Sequence, residues 1–142
     1  LLTRCPLRTS YIYLSLYISR IHTPMSLAFA PLSRFMAVLK APASADAFKT
    51  LLKTNEKPIV VDWFANWCGP CKALAPTLES CIREQGGLDF VAMDIDKNAE
   101  LSWEYGVRSI PHVQMFKDGS KMDEFVGGQT RGRIMDLLAS AE

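Results

Sequence analysis

From residue 35 onward the apolar positions switch between a period of two and a period near 3.6. "FMAVLK" (35–40) reads as a short strand. "SADAFKTLLKTN" (44–55) puts Phe48, Leu51 and Leu52 on one helical face, with Ser44 placed to cap its start. "PIVVDWFA" (58–65) is an almost continuous apolar run, the mark of a central strand covered on both faces, and its one charge is Asp62. Residues 70–85 bring Leu74, Leu78, Cys81 and Ile82 together at helical spacing. Gly86 and Gly87 end that helix, and Pro76 inside it is expected to kink it. "LDFVAMDID" (88–96) reads as a strand and "AELSWEYG" (99–106) as a short helix stopped at Gly106. "HVQMFKDGSKMDEFVGG" (112–128) reads as a hairpin turning at Asp118-Gly119. "TRGRIMDLLASAE" closes the chain as a helix with Ile134, Leu137 and Leu138 inward.

The order is therefore β-α-β-α-β-α-β-β-α. Strands alternating with helices imply parallel pairing through crossovers, and the closing hairpin adds antiparallel strands. The expected fold class is α/β, a mixed central β-sheet flanked by helices on both faces. The domain is placed at 36–142, behind a leader at 1–35.

Charge supports that division. Residues 1–45 carry Arg4, Arg8, Arg20, Arg34 and Lys40 and no acid, whereas the remainder is net acidic. With no basic patch in the globular part, no nucleic-acid partner is expected. The leader has the basic, acid-free composition of a transit peptide, yet Ile12, Leu14, Leu16 and Ile18 alternate with Tyr and Ser at period two. "AFA" at 28–30 imitates a secretory cleavage site, but Pro31 follows at once. The leader is expected to be absent or unstructured in the working protein, with a transit peptide and a secretory signal as alternatives. Met25 and Met36 are the candidate starts. Its uncharged run from Thr9 to Ser19 spans 11 residues, against the roughly 20 needed to cross a bilayer, so no membrane anchoring is expected.

Two of the four cysteines stand in "WCGPCK" (67–72), between the buried strand and the following helix. A metal site there lacks ligands, because no second CxxC exists and only His22 and His112 offer imidazole. A structural disulfide would close too small a loop to stabilise much. A redox pair fits better. A helix amino terminus presents unpaired N–H groups and the positive end of the macrodipole, so a thiolate at Cys68 is stabilised. Cys71, one turn further in, is expected to be more buried and to stay protonated longer. Cys68 would attack a disulfide and Cys71 would resolve the mixed disulfide. Gly69 is expected to permit the tight approach into the helix and Pro70 to set its first turn. Lys72 is an exposed lysine or an electrostatic aid. Cys81 lies on the apolar stripe and reads as a core thiol, and Cys5 falls in the leader. Asp62, alone in a buried strand, must stay protonated or find a partner.

"VDWFANWCGPCK", followed by "SIPHV" and "FKDG", resembles the thioredoxin family over essentially the whole domain. The resemblance implies the thioredoxin fold and a protein-disulfide reductase working through a redox-active Cys68–Cys71 disulfide, in cell redox homeostasis. It implies that Asp62 moves protons to and from Cys71. It also implies a cis Ile110-Pro111 bond facing the pair, where a client chain pairs as an added strand, and Gly127 keeping that groove open. Trp67 would shield the pair and touch substrate, with Trp63 and Phe64 in the core. Two positions depart from the family pattern: His112 stands where Thr is usual, and Ala92 where relatives often carry a lysine near the buried Asp. The implied partners are client proteins with disulfides and an NADPH-dependent thioredoxin reductase, with no cofactor bound directly. The rival readings are an oxidising or isomerising relative, disfavoured by Pro70, and a non-enzymatic binding module. A cytoplasmic monomer is the simplest expectation, mitochondrial if residues 1–35 are a transit peptide.

Overall fold

The computed structural model describes residues 36–141, and the leader expectations lie outside the described residues. Strand β1 (Val38–Leu39) leads to α1 (Ala45–Thr54), β2 (Ile59–Phe64) and α2 (Gly69–Gln85). Then come β3 (Asp89–Asp94), α3 (Ala99–Glu104), β4 (His112–Lys117), β5 (Ser120–Val126) and α4 (Arg131–Ala139). The strands form one sheet in the order β1-β3-β2-β4-β5. β1, β3 and β2 run parallel, while β4 is antiparallel to both β2 and β5. The mixed sheet expected from the pattern is present.

β2 is central because it has apolar residues to spare for both faces. Val60 packs with Val113, Met115 and Phe125 under Leu74, Leu78 and Ile82 of α2 and Ile134 and Leu138 of α4. Val61 and Trp63 face the other way, onto Phe48 and Leu52 of α1 and Leu101 of α3. Phe48 meets Trp63 and Tyr105 edge-on, at ring-centre distances of 5.9 and 5.0 Å, the arrangement aromatic quadrupoles favour. Cys81 is fully buried among the α2 core residues, as its place on the stripe implies.

The local signals act where expected. The Ser44 hydroxyl accepts from the Ala47 N–H at 3.2 Å, satisfying one orphan donor of α1. α2 runs unbroken through Pro76, which lies on its exposed side. The β4–β5 turn uses Asp118 (φ 52°) and Gly119 (φ 78°), both left-handed, as a two-residue hairpin loop requires. One feature escaped the alternation pattern: the register shifts between Met115 and Phe116, which pair with Asp123 and Lys121, so Met122 is an inserted residue and β5 bulges.

Candidate active site

The end of β2 and the start of α2 build the site. Cys68 is the N-cap of α2, in extended conformation (φ −79°, ψ 103°), and its Sγ accepts from the Cys71 N–H at 3.2 Å. The sulfur thus occupies the place of a capping oxygen, facing the unpaired donors and the positive end of the helix dipole. Pro70 sits in the first turn, where its missing donor costs nothing. Cys68 and Cys71 are joined by a disulfide with Cα atoms 5.3 Å apart.

With the disulfide closed both cysteines are buried, Cys71 (3% exposed) slightly more than Cys68 (4%). Both pack with Ala65 against Phe64, Ile95 and Ile110. The expectation that Gly69 permits a tight entry needs correction, because no close approach occurs there. Its φ is not left-handed and a Cβ there would meet nothing within 4 Å, because the chain turns into the helix at Cys68. Nothing in the structure requires glycine at that position.

Behind the pair lies a cavity of about 200 Å³ lined in part by Asp62, Cys71, Lys72, Glu79 and Ala92. Asp62 pairs in register with Ala92 of β3, which brings no charge. Its carboxylate is buried and Oδ1 has no hydrogen-bond partner. Burial first, and the nearby Glu79 carboxylate second, push Asp62 up to about 7. A carboxyl group that changes protonation near neutrality therefore shares a cavity with the second cysteine. The proximity of Glu79 was not anticipated, since it arises from α2 lying across β2 and not from any local motif. Lys72 is exposed at the cavity's edge.

The remaining expected residues fall as follows. The Ile110-Pro111 bond is cis, and Ile110 packs against the cysteine pair. Gly127 donates its N–H to the Pro111 carbonyl at 2.7 Å, with φ 81°, and an added Cβ would point into open space. Trp67 is 69% exposed, its indole N–H donating to Asp96 Oδ2 at 3.1 Å. Trp63 is fully buried as expected, whereas Phe64 is half-buried against the cysteines and not in the main core.

His112 is buried on the opposite face of the sheet from Asp62. Its Nε2 lies 3.0 Å from Glu124 Oε2, which also accepts from Gln114 at 2.8 Å and Lys121 at 2.8 Å. Gln114 accepts from the Trp63 indole at 2.9 Å and donates to the Tyr105 carbonyl at 2.9 Å. From the sequence, His112 stood out only as a departure from the family pattern and Trp63 only as a core residue, and the network itself was not foreseen. Among the described residues there is no cluster of three or more His, Cys, Asp or Glu able to hold a metal. No helix among them is long and apolar enough to cross a membrane.

Comparison with known proteins agrees with this geometry. The sequence model of the family described as "Thioredoxin" matches residues 40–140. A thioredoxin of Mycoplasmoides gallisepticum is 44% identical over 88 residues, covering 62% of this chain and 87% of that protein. A thioredoxin of Rickettsia conorii is 38% identical over 93 residues, 65% of this chain and 89% of its own length. Among solved structures, the oxidised thioredoxin of Plasmodium falciparum superposes with a TM-score of 0.63 at 29% identity, covering 75% of this chain and all of that one. The chain belongs to the thioredoxin family of thiol-disulfide oxidoreductases.

Proposed function

We propose that the reduced chain acts as a protein-disulfide reductase in which Cys68 is the nucleophile, Cys71 the resolving thiol and Asp62 the proton acceptor. The observation that carries this reading is the disulfide at the tip of α2, with its second cysteine opening onto the cavity that holds Asp62. The Cys68 thiolate attacks one sulfur of a client disulfide. That S–S bond breaks, a mixed disulfide forms, and the departing client thiolate takes a proton from solvent. Asp62 then accepts the Cys71 proton, and the Cys71 sulfur displaces the second client thiolate from Cys68. Two electrons have passed to the client, and the chain is left as the oxidised pair.

The backbone at Ile110, the proline ring of Pro111 and the open space beside Gly127 would receive the client as an added strand, with Trp67 flanking it. Pro70 and Lys72 support the pair, Pro70 by fixing the first turn and Lys72 by its charge. An NADPH-dependent thioredoxin reductase would return the electrons, so the chain needs no cofactor of its own. The working domain is 36–142, acting as a cytoplasmic monomer, or in the mitochondrion where residues 1–35 serve as a transit peptide. Mass spectrometry of the native amino terminus tests the leader: mature protein starting near Met36 without cleavage removes the targeting role. Insulin-disulfide reduction tests the function. Wild type should turn over, Cys68→Ser should not, and Cys71→Ser should accumulate a mixed disulfide; turnover by Cys68→Ser would overturn the assignment.

A further inference from the structure

A groove of about 460 Å³ is lined by Trp67, Ile110, Ser109, Arg108 and Trp103, among others. Its lining includes the largest exposed aromatic side chains of the described residues, Trp67 at 69% and Trp103 at 63%. Arg108 is the only charged residue lining it. The Arg108 guanidinium lies 4.3 Å from the centre of the Trp103 ring, a stacked cation–π arrangement that holds the charge in one place. Among the described residues no carboxylate reaches it within ion-pair distance, although other surface cations such as Lys49, Arg83, Lys121 and Arg131 each have one. The neighbouring acid at Asp96 is engaged by the Trp67 indole.

We propose that Arg108, braced on Trp103, is a subsite for a carboxylate of the client polypeptide, so that clients bearing Asp or Glu close to the attacked disulfide are preferred. The inference rests on the reductase reading above and specifies its substrate class. A planar guanidinium with its fork free accepts a carboxylate in bidentate fashion, and stacking removes much of the entropy otherwise lost on binding. Arg108 and Ile110 are two residues apart, so a strand laid along Ile110, rising ~3.3 Å per residue, reaches the subsite within a few residues of its cysteine. The exposed tryptophans give an apolar floor on either side, and the charge adds selectivity to it.

The test uses a set of disulfide-bonded peptides identical except for Glu, Gln or Lys, scanned over the residues flanking the cysteine. With wild type, the best Glu peptide should exceed its Lys counterpart about tenfold in kcat/KM, through KM, and the gap should shrink at high salt. Arg108→Gln should abolish the preference and Arg108→Glu should reverse it. Trp103→Ala, which frees the guanidinium from its platform, should reduce it. Equal kcat/KM for all peptides in wild type overturns the carboxylate subsite and leaves the reductase assignment standing. No turnover of any peptide overturns both. A wild-type dimer that Arg108→Glu dissolves in sedimentation would assign the groove to a second copy of the chain and overturn the proposal.

Discussion

The two faces of the sheet each bury a polar centre at neighbouring positions of β2, and they treat it in opposite ways. On the α2 side Asp62 has an unpartnered carboxylate oxygen beside a cavity, and its proton affinity is raised to about 7. On the α1 and α3 side Trp63, Gln114, Glu124, His112 and Lys121 satisfy one another, leaving only His112 Nδ1 unpartnered. Glu124 is held down at about 2, chiefly by Lys121 and then by Gln114. A half-buried acid with donors, as at Glu124, is held as an anion and serves architecture. The carboxyl of Asp62, buried and with one oxygen lacking a donor, is left free to gain and lose a proton near neutral pH, which is what a thiol-exchange site needs.

The largest expected effect comes from removing the attacking sulfur, without which the Cys71 proton that Asp62 accepts is never called for. Cys68→Ser should lower insulin-disulfide reduction by more than about 10³-fold while leaving the circular dichroism spectrum unchanged. Next is Asp62→Asn, with an expected loss on the order of 10²-fold in turnover and disappearance of the rate limb that rises with pH through about 7. Unchanged pH dependence would remove Asp62 from the proton path.

The same substitution should also stabilise the fold. Between the ordinary carboxyl range and about 7 the unfolded chain releases this proton while the folded chain keeps it. Wild-type stability therefore falls as pH rises through that window and levels off above it. Asp62→Asn cannot charge and escapes the loss, so its margin over wild type should grow across the window to on the order of 4 kcal/mol by urea titration. A margin that is flat with pH would contradict the burial argument. Glu124 works in the opposite direction: its contribution is present above the ordinary carboxylate value and is lost as pH falls towards about 2. Glu124→Gln should therefore narrow its stability gap to wild type in acid.

On the satisfied face, Gln114→Ala strands the Trp63 indole N–H and the Tyr105 carbonyl. It should cost about 1–3 kcal/mol in denaturant unfolding and leave the catalytic pH profile in place. The smallest effect is expected at Glu79, which lines the Asp62 cavity and is paired with Arg83 at 2.9 Å. Glu79→Gln removes a like charge and should shift the Asp62-linked rate limb slightly downward in pH, whereas Arg83→Gln unmasks the charge and should shift it upward. Shifts of the same sign in both variants would exclude a charge effect.

The contrast between the faces also explains what the sequence made legible. The apolar run at 58–65, the turn at Asp118-Gly119 and the Ser44 cap are governed by neighbours in the chain, and each forms as its residues dictate. So does the placement of "WCGPCK", because a strand end followed by a helix start is a local event. Asp62 stood out as a lone charge among apolar residues. Its nearness to Glu79 did not, because that depends on how α2 crosses β2. The Trp63–Gln114–Glu124–His112 network joins three strands and is set by register. The bulge at Met122 and the stacking of Arg108 on Trp103 likewise require the assembled fold. Gly69 was expected to permit a tight entry into the helix, yet the turn is made one residue earlier, by Cys68 in extended conformation.

The most direct test of the account is alkylation of the reduced protein with iodoacetamide across pH, followed site by site with mass spectrometry. The helix terminus that presents the Cys71 N–H to the Cys68 sulfur should make Cys68 react faster than a free thiol at neutral pH, with Cys71 protected until the protein unfolds. Equal labelling of both sulfurs, or a Cys68 that reacts no faster than cysteine in water, would contradict it.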